Sequence, residues 1–306
     1  MMNIMVTGGR GFLGKYIVDQ LLQEGHTVID YSRDMQSPFE NPNHLFVFGE
    51  LYDIPRLITV MKEYRVERII HTAGQSNPVI SLQIPFATVE ANIMGTIALL
   101  EAARLSDIRR VVLYSSEAAY GNTTGSELVT LETPLIPRTP YGVTKAATEM
   151  FGRAYQYSFG LECVSIRLGQ VYGPGRFLEE TVRTAVKTVL AGEVFKLDYG
   201  RDQKMHLIHV KDAADFSIKA CFAERLNEMA VYHATGGGHP TFGQVLDILE
   251  TLVPNAKFEV GKGDLGFERH GMFDLTESKN DLGYEPKIDL VHGLQEYIHW
   301  LQENED

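Results

Sequence analysis

Short apolar runs alternate along the chain with longer stretches in which apolar residues recur at helical spacing. The runs at 4–6, 27–32, 46–48, 66–71, 110–116 and 161–168 predict strands, and the stretches at 15–24, about 53–64, 88–105 and 141–158 predict helices. Regular alternation of this kind is the pattern of an α/β protein with a doubly wound parallel sheet. From residue 171 the pattern changes. Gly173-Pro174-Gly175 is followed by a predicted helix at 178–191, a short strand at 207–210 and a helix from Lys211 to Cys221. Thr235-Gly236-Gly237-Gly238 predicts a loop, and further helices follow at 242–252 and 290–301. No low-complexity linker or internal repeat separates the halves. The expected organisation is a dinucleotide-binding unit at 1–170, with 205–225 returning to it, and a mainly substrate-binding lobe at 171–306.

Ligands of doubly wound sheets bind beyond the carboxyl ends of the strands. The first such end is Thr7-Gly8-Gly9-Arg10-Gly11-Phe12-Leu13-Gly14, a strand passing through three spaced glycines into a helix. Gly8 suits a tight turn, Gly11 a close backbone approach and Gly14 the packing of helix on strand, which together cradle a pyrophosphate. Other strand ends that invite chemistry are Thr72-Ala73-Gly74, Ser115-Ser116 and Gly169-Gln170.

Composition narrows the partners. The 306 residues are 44% hydrophobic and 22% charged, with a net charge of −12. Such a balance excludes the clustered basic surface needed for nucleic acid or an anionic membrane. Cys163 and Cys221 are the two cysteines, both in apolar contexts, so buried free thiols are expected and no disulfide framework. Without an apolar run approaching the length of a membrane span, and without a signal-peptide pattern, the expected location is the cytoplasm. The ten histidines show no metal-ligand spacing and no metal is expected.

Tyr141-Gly142-Val143-Thr144-Lys145 puts a phenol and an ammonium on one helix face. A lysine beside a tyrosine favours the phenolate, which makes the tyrosine a candidate general acid/base. Ser116, at the end of a preceding strand in Ser115-Ser116-Glu117-Ala118-Ala119-Tyr120-Gly121, places a hydroxyl within reach of the same substrate oxygen.

With these motifs in order, the chain resembles an extended short-chain dehydrogenase/reductase of the NAD(P)-dependent sugar epimerase/dehydratase family, whose sheet is Rossmann-type. The resemblance also runs through His71-Thr72-Ala73-Gly74, Asn92-Ile93-Met94-Gly95-Thr96, Arg167-Leu168-Gly169-Gln170-Val171-Tyr172-Gly173-Pro174-Gly175 and Leu282-Gly283-Tyr284-Glu285-Pro286. It implies Tyr141 as the acid/base on a substrate hydroxyl, Lys145 on the nicotinamide ribose, and Ser116 on the substrate oxygen. The implied cofactor site comprises Gly8, Arg10, Gly11, Phe12, Leu13, Gly14, Ser32, Arg33, Glu50, Leu51, Thr72, Ala73, Gly74 and Asn92, with Tyr141 and Lys145. Gln75, Ser116, Glu117, Gln170 and Lys204 are implied to face the substrate. A homodimer is implied as well, pairing the helix after Asn92 and the Tyr141 helix with their copies.

Departures from the family pattern refine this. The ribose-binding acidic position falls on Ser32, followed by Arg33, and Asp30 stands two residues too early. Serine plus arginine suits a 2′-phosphate, with Arg10 as a second partner, so NADP is favoured over NAD. Related 4,6-dehydratases carry a glutamate two residues before the tyrosine of the Ser116–Tyr120 segment, where this chain has Ala118. The arginine that relatives use on a nucleotide diphosphate is replaced by Met205, with Lys204 and Arg201 nearby and Arg269 further on. Gln170 stands where relatives have a substrate-contacting asparagine. The expected function is an NAD(P)-dependent epimerase of a sugar or nucleotide sugar, acting through a transient ketone. The alternative is a net NADP-dependent dehydrogenase/reductase of a sugar, sugar acid or other polyol. A non-catalytic dinucleotide-binding regulator ranks behind both, because Ser116, Tyr141 and Lys145 are all present.

Overall fold

Seven strands form the central sheet of the computed structural model, which describes residues 1–33, 40–123 and 128–304. Numbered within this sheet they are β1 (Asn3–Thr7), β2 (Thr27–Ser32), β3 (His44–Phe48), β4 (Arg68–His71), β5 (Arg110–Ser116), β6 (Glu162–Leu168) and β7 (Val231–Ala234). Their spatial order is β7-β6-β5-β4-β1-β2-β3, and every neighbouring pair is parallel. The order reverses between β1 and β4, where Thr7 is in register with His71. A crevice opens at such a switch point, and the sequence motifs end there.

Strands buried on both faces need helices on both sides. On one side, helices α1 (Phe12–Gln23) and α3 (Val210–Phe222) cover Ile4, Val6, Val112 and Val164. On the other, the helices Ile54–Glu63 and Gly95–Arg104 pack on Met5, Ile29, Ile69 and Val111. Helix α2 (Pro140–Phe159), which carries Tyr141 and Lys145, lies along β5 and β6. Its start is fixed by Thr139, whose hydroxyl accepts from the Gly142 N–H, and by Pro140 in the first turn. A third core, from the helices Thr181–Leu190, Phe242–Leu252 and Leu290–Asn304, belongs to the second half of the chain.

Three features differ from the sequence-based expectation. The helix expected over 88–105 starts earlier, at Pro85, and runs as Pro85–Val89, one π-helical turn Glu90–Met94 and Gly95–Arg104, after a separate short helix Pro78–Gln83. Pro85–Arg104 is long and apolar enough to cross a membrane, although no such apolar run was expected, and half of its apolar window is buried. Its Leu99, Leu100, Ala102 and Ala103 are fully enclosed in the core. Residues beyond 225 also return to the sheet, because β7 is its edge strand; Leu207–His209 instead pairs with Gln170–Tyr172 in a separate two-stranded ladder.

Candidate functional site

Gly8 turns the chain at φ +69°, and a side chain there would meet the Ala73 backbone at 3.0 Å. Gly14 is tighter still, since a Cβ would lie 2.2 Å from the Gly8 carbonyl oxygen and 2.9 Å from Thr72 Oγ1. The Thr72 hydroxyl donates to the Thr7 and Gly8 carbonyls at 2.7 and 3.1 Å, binding the ends of β1 and β4 together. Helix α1 begins at Gly11 with no side-chain cap, leaving its first N–H groups to a ligand. Gly11, Phe12, Leu13, Gly14, Thr72 and Gly74 all line a cavity of about 360 Å³. This is a fitting cradle for a dinucleotide pyrophosphate.

Asp30 occupies the space beneath the turn. It is fully buried, its Oδ1 accepts from the Gly9 N–H at 3.1 Å and from the Ser32 hydroxyl at 2.9 Å, and its Oδ2 lies 3.5 Å from His44 Nε2. Ser32 therefore points inward, at Asp30. Arg33 is exposed and sits 4.0 Å from the Glu50 carboxylate. The Glu50 carbonyl receives the Tyr31 hydroxyl, and Leu51 packs near Gly95. His71 joins Thr7 (2.7 Å) to Thr96 (3.1 Å) through its two ring nitrogens, and burial pushes its pKa down to about 3, so it is a neutral strut.

Asn92 is the residue that the π turn aims inward. Its amide accepts from the Gln75 N–H at 2.7 Å and donates to the Gln75 carbonyl and the Thr144 hydroxyl at 2.9 and 3.0 Å. The loop after β4 is thus tied to α2. The Gln75 side chain is committed to the Asn77 backbone, so Ser76 and Asn77 face the cavity in its place.

Tyr141, Lys145 and Ser116 converge on that same cavity. The Tyr141 hydroxyl shares a hydrogen bond with Ser116, and burial pushes its pKa up to about 12, with the Arg176 charge working in the opposite direction. Lys145 Nζ faces the Tyr141 ring, 5.5 Å from its centroid, and burial pushes its pKa down to about 8. Lysine was expected to tune the phenol; in the structure burial, Ser116 and the Glu117 and Arg176 charges act on the hydroxyl, whereas Lys145 meets the ring face. Arg176 lines the cavity and its Nε has no hydrogen-bond partner.

The opposite wall carries Gln170, Lys204 and Met205. Gln170 Oε1 is buried without a partner, and Lys204 Nζ reaches the His239 carbonyl at 3.2 Å. Arg201 and Arg269, the two nearby alternatives for anion binding, are paired with Asp247 and Asp264. A more open cavity of about 550 Å³ adjoins the first across Tyr172, Lys204 and Leu207. Glu117 Oε2 is hydrogen-bonded to His206 Nδ1 at 3.0 Å, with His270 Nδ1 4.0 Å away. That grouping joins residues up to 153 positions apart, so no linear spacing could announce it. Arg176 was likewise missed; its signal is its place directly after Gly173-Pro174-Gly175. Behind the wall, Arg167 forms a bidentate pair with Glu149 (3.0 and 2.7 Å) and donates to Tyr120 and Leu131, locking the segment after Ser116 to α2.

The model of the NAD dependent epimerase/dehydratase family matches residues 4–232. A UDP-glucuronate 4-epimerase of Thermodesulfobacterium geofontis is 26% identical, over 98% of this chain and 96% of its own length. Among solved structures, UDP-glucose 4-epimerase of Thermus thermophilus in complex with NAD superposes with a TM-score of 0.87 at 26% identity, covering 99% of this chain and 100% of its own. The dTDP-glucose 4,6-dehydratase of Bacillus anthracis in complex with NAD gives 0.87 at 29%, covering 100% and 98%. These findings overturn the NADP expectation. The physical reason is visible at β2: the Ser32 hydroxyl is turned onto Asp30, and Arg33 stands beside the Glu50 carboxylate, which would repel a 2′-phosphate.

Proposed function

Because this chain belongs to the NAD dependent epimerase/dehydratase family, we propose that it inverts a carbinol centre of a nucleotide sugar through a transient ketone. Bound NAD would supply the hydride chemistry that such an inversion through a ketone needs. Tyr141 exchanges the hydroxyl proton, and Ser116, its hydrogen-bond partner, is placed to donate to the same substrate oxygen. The uncapped α1 N-terminus would hold the pyrophosphate, and Lys145, which lines the cavity, would hold the nicotinamide ribose.

One observation carries epimerisation over dehydration. Position 118 is a buried alanine, and its methyl group offers no base for removing a ring proton. Arg176 and Lys204 are the cations that meet the substrate diphosphate, and the adjoining cavity gives the nucleoside room. Exposed apolar side chains on Pro85–Val89 and the π turn (Phe86, Val89, Met94) and on α2 (Val143, Met150, Tyr157) support a homodimer through these helices. Two free, buried thiols, Cys163 and Cys221, support a cytoplasmic enzyme.

The test is incubation with NAD and a panel of UDP- and dTDP-hexoses and hexuronates, with products resolved by NMR. A C4 epimer formed without loss of water is expected. A 4-keto-6-deoxy sugar, or stoichiometric NADH, would overturn the reading.

A further inference from the structure

Glu117, His206 and His270 come from three separate segments and direct one ligand atom each into a common space, all within 4.8 Å of one another. Both imidazoles are buried, and Glu117 and His270 line the cavity that holds Tyr141. The Glu117 Oε2 to nitrogen distances are 3.0 and 4.0 Å. Donors at ordinary zinc–ligand lengths around a tetrahedral ion lie about 3.4 Å apart, a value between the two.

A plain hydrogen-bonded cluster accounts for less of this. His206 satisfies one nitrogen on Glu117, yet the 4.0 Å separation of His270 from the same oxygen is too long for a hydrogen bond. His206 Nε2 and His270 Nε2 are both buried without partners, while His206 Nδ1 bonds Glu117 and the His270 ring bonds the Gly121 backbone. The His206 ring is held in place by stacking, 4.3 Å from His239 and 4.0 Å from Phe273.

We propose that Glu117, His206 and His270 form a mononuclear site for a divalent transition metal of the zinc and cobalt type, with its open coordination positions facing the substrate cavity. Two imidazoles and one carboxylate are a donor set suited to such ions, and a set of three leaves room for an oxygen ligand. That ligand is water in the free protein and a sugar hydroxyl or carboxylate oxygen when the cleft is filled. The site stands independently of the epimerase reading.

Cobalt(II) chloride titrated into the chelator-treated protein, without nucleotide sugar, is the test. We expect visible d–d absorption saturating at about one equivalent per chain and lost on adding zinc chloride. Glu117→Gln and His270→Ala should each weaken binding at least about tenfold, with NAD binding retained as the control for folding. The exposed histidines serve as the converse control: His292→Ala/His299→Ala should leave the absorption unchanged. In the wild-type protein, cobalt should broaden the ring signals of His206 and His270 in ¹H–¹⁵N spectra, which needs no variant to fold. No d–d absorption, absorption that survives both cleft substitutions, or broadening confined to surface histidines would overturn the proposal.

Discussion

Lys145 presents its ammonium to the face of the Tyr141 ring, 5.5 Å from the centroid, while the phenolic hydroxyl is engaged by Ser116. Burial dominates the phenol and pushes its pKa up to about 12. A difference titration of the wild type against Tyr141→Phe, followed by phenolate absorbance, should therefore show no ionisation of Tyr141 below about pH 10. The same substitution should lower kcat by at least about a hundredfold with NAD affinity unchanged, as measured by single-turnover kinetics and calorimetry. Turnover near the wild-type rate would sink the acid/base assignment.

Lys145 itself opposes folding at neutral pH. Its pKa falls from 10.5 in the free side chain to about 8 in the protein. Below about 8 the lysine is charged in both states and the full burial cost applies. Between that value and 10.5 the unfolded chain binds more protons, so wild-type stability rises with pH relative to a variant lacking the group. Lys145→Met should be more stable than wild type by about 1–3 kcal/mol near pH 7, with the advantage fading by pH 10.5. Urea unfolding of the cofactor-free proteins at both pH values checks this, and a pH-independent difference would contradict it.

Removing Arg167 strands the buried Glu149 carboxylate and takes a donor from the Tyr120 hydroxyl and the Leu131 carbonyl. Arg167→Met should cost about 3–5 kcal/mol, and adding Glu149→Leu should restore part of the loss. Equal losses in the single and double variants, by chemical denaturation, would mean that the pair matters through packing instead.

Gly14→Ala drives a methyl group into the Gly8 carbonyl, where there is only 2.2 Å. Either the turn or α1 has to move, so NAD affinity should fall at least about tenfold, measured by calorimetry. Retained affinity would show that the turn is less confined than its contacts suggest.

Arg176→Met removes a cavity cation whose Nε has no other partner. The KM for the nucleotide sugar should rise at least about tenfold while NAD binding changes little. An unaltered KM, with NAD binding impaired instead, would move Arg176 to the cofactor half.

Much of the cofactor half was legible in the sequence because its requirements are local. Gly8, Gly11 and Gly14 are spaced by backbone geometry, and Tyr141 and Lys145 by one helical turn, so the chain displays both directly. The strands at 27–32 and 110–116 and the helix at 242–252 were placed to the residue, since their apolar runs end abruptly. The cofactor was misread at Ser32 and Arg33, because sequence does not reveal that one turns inward to Asp30 and the other meets Glu50. Gln75 was assigned to substrate, but its amide serves Asn77. The cluster of Glu117, His206 and His270 is a product of tertiary folding. No periodicity records it.

The strand order β7-β6-β5-β4-β1-β2-β3 has a consequence for biosynthesis. Taken in chain order, β2 and β3 extend the sheet from β1 in one direction, and β4 through β7 extend it in the other. Each new strand finds a free edge waiting, and none has to insert between two strands already paired. A chain that folds from its N-terminus as it is made can thus grow this sheet outward from β1 by addition alone. Residues 8–14, 72–74 and 116–145 are thus made before residues 204–270, which supply the far wall of the cleft together with α3 over Ile4 and Val6 and the edge strand β7.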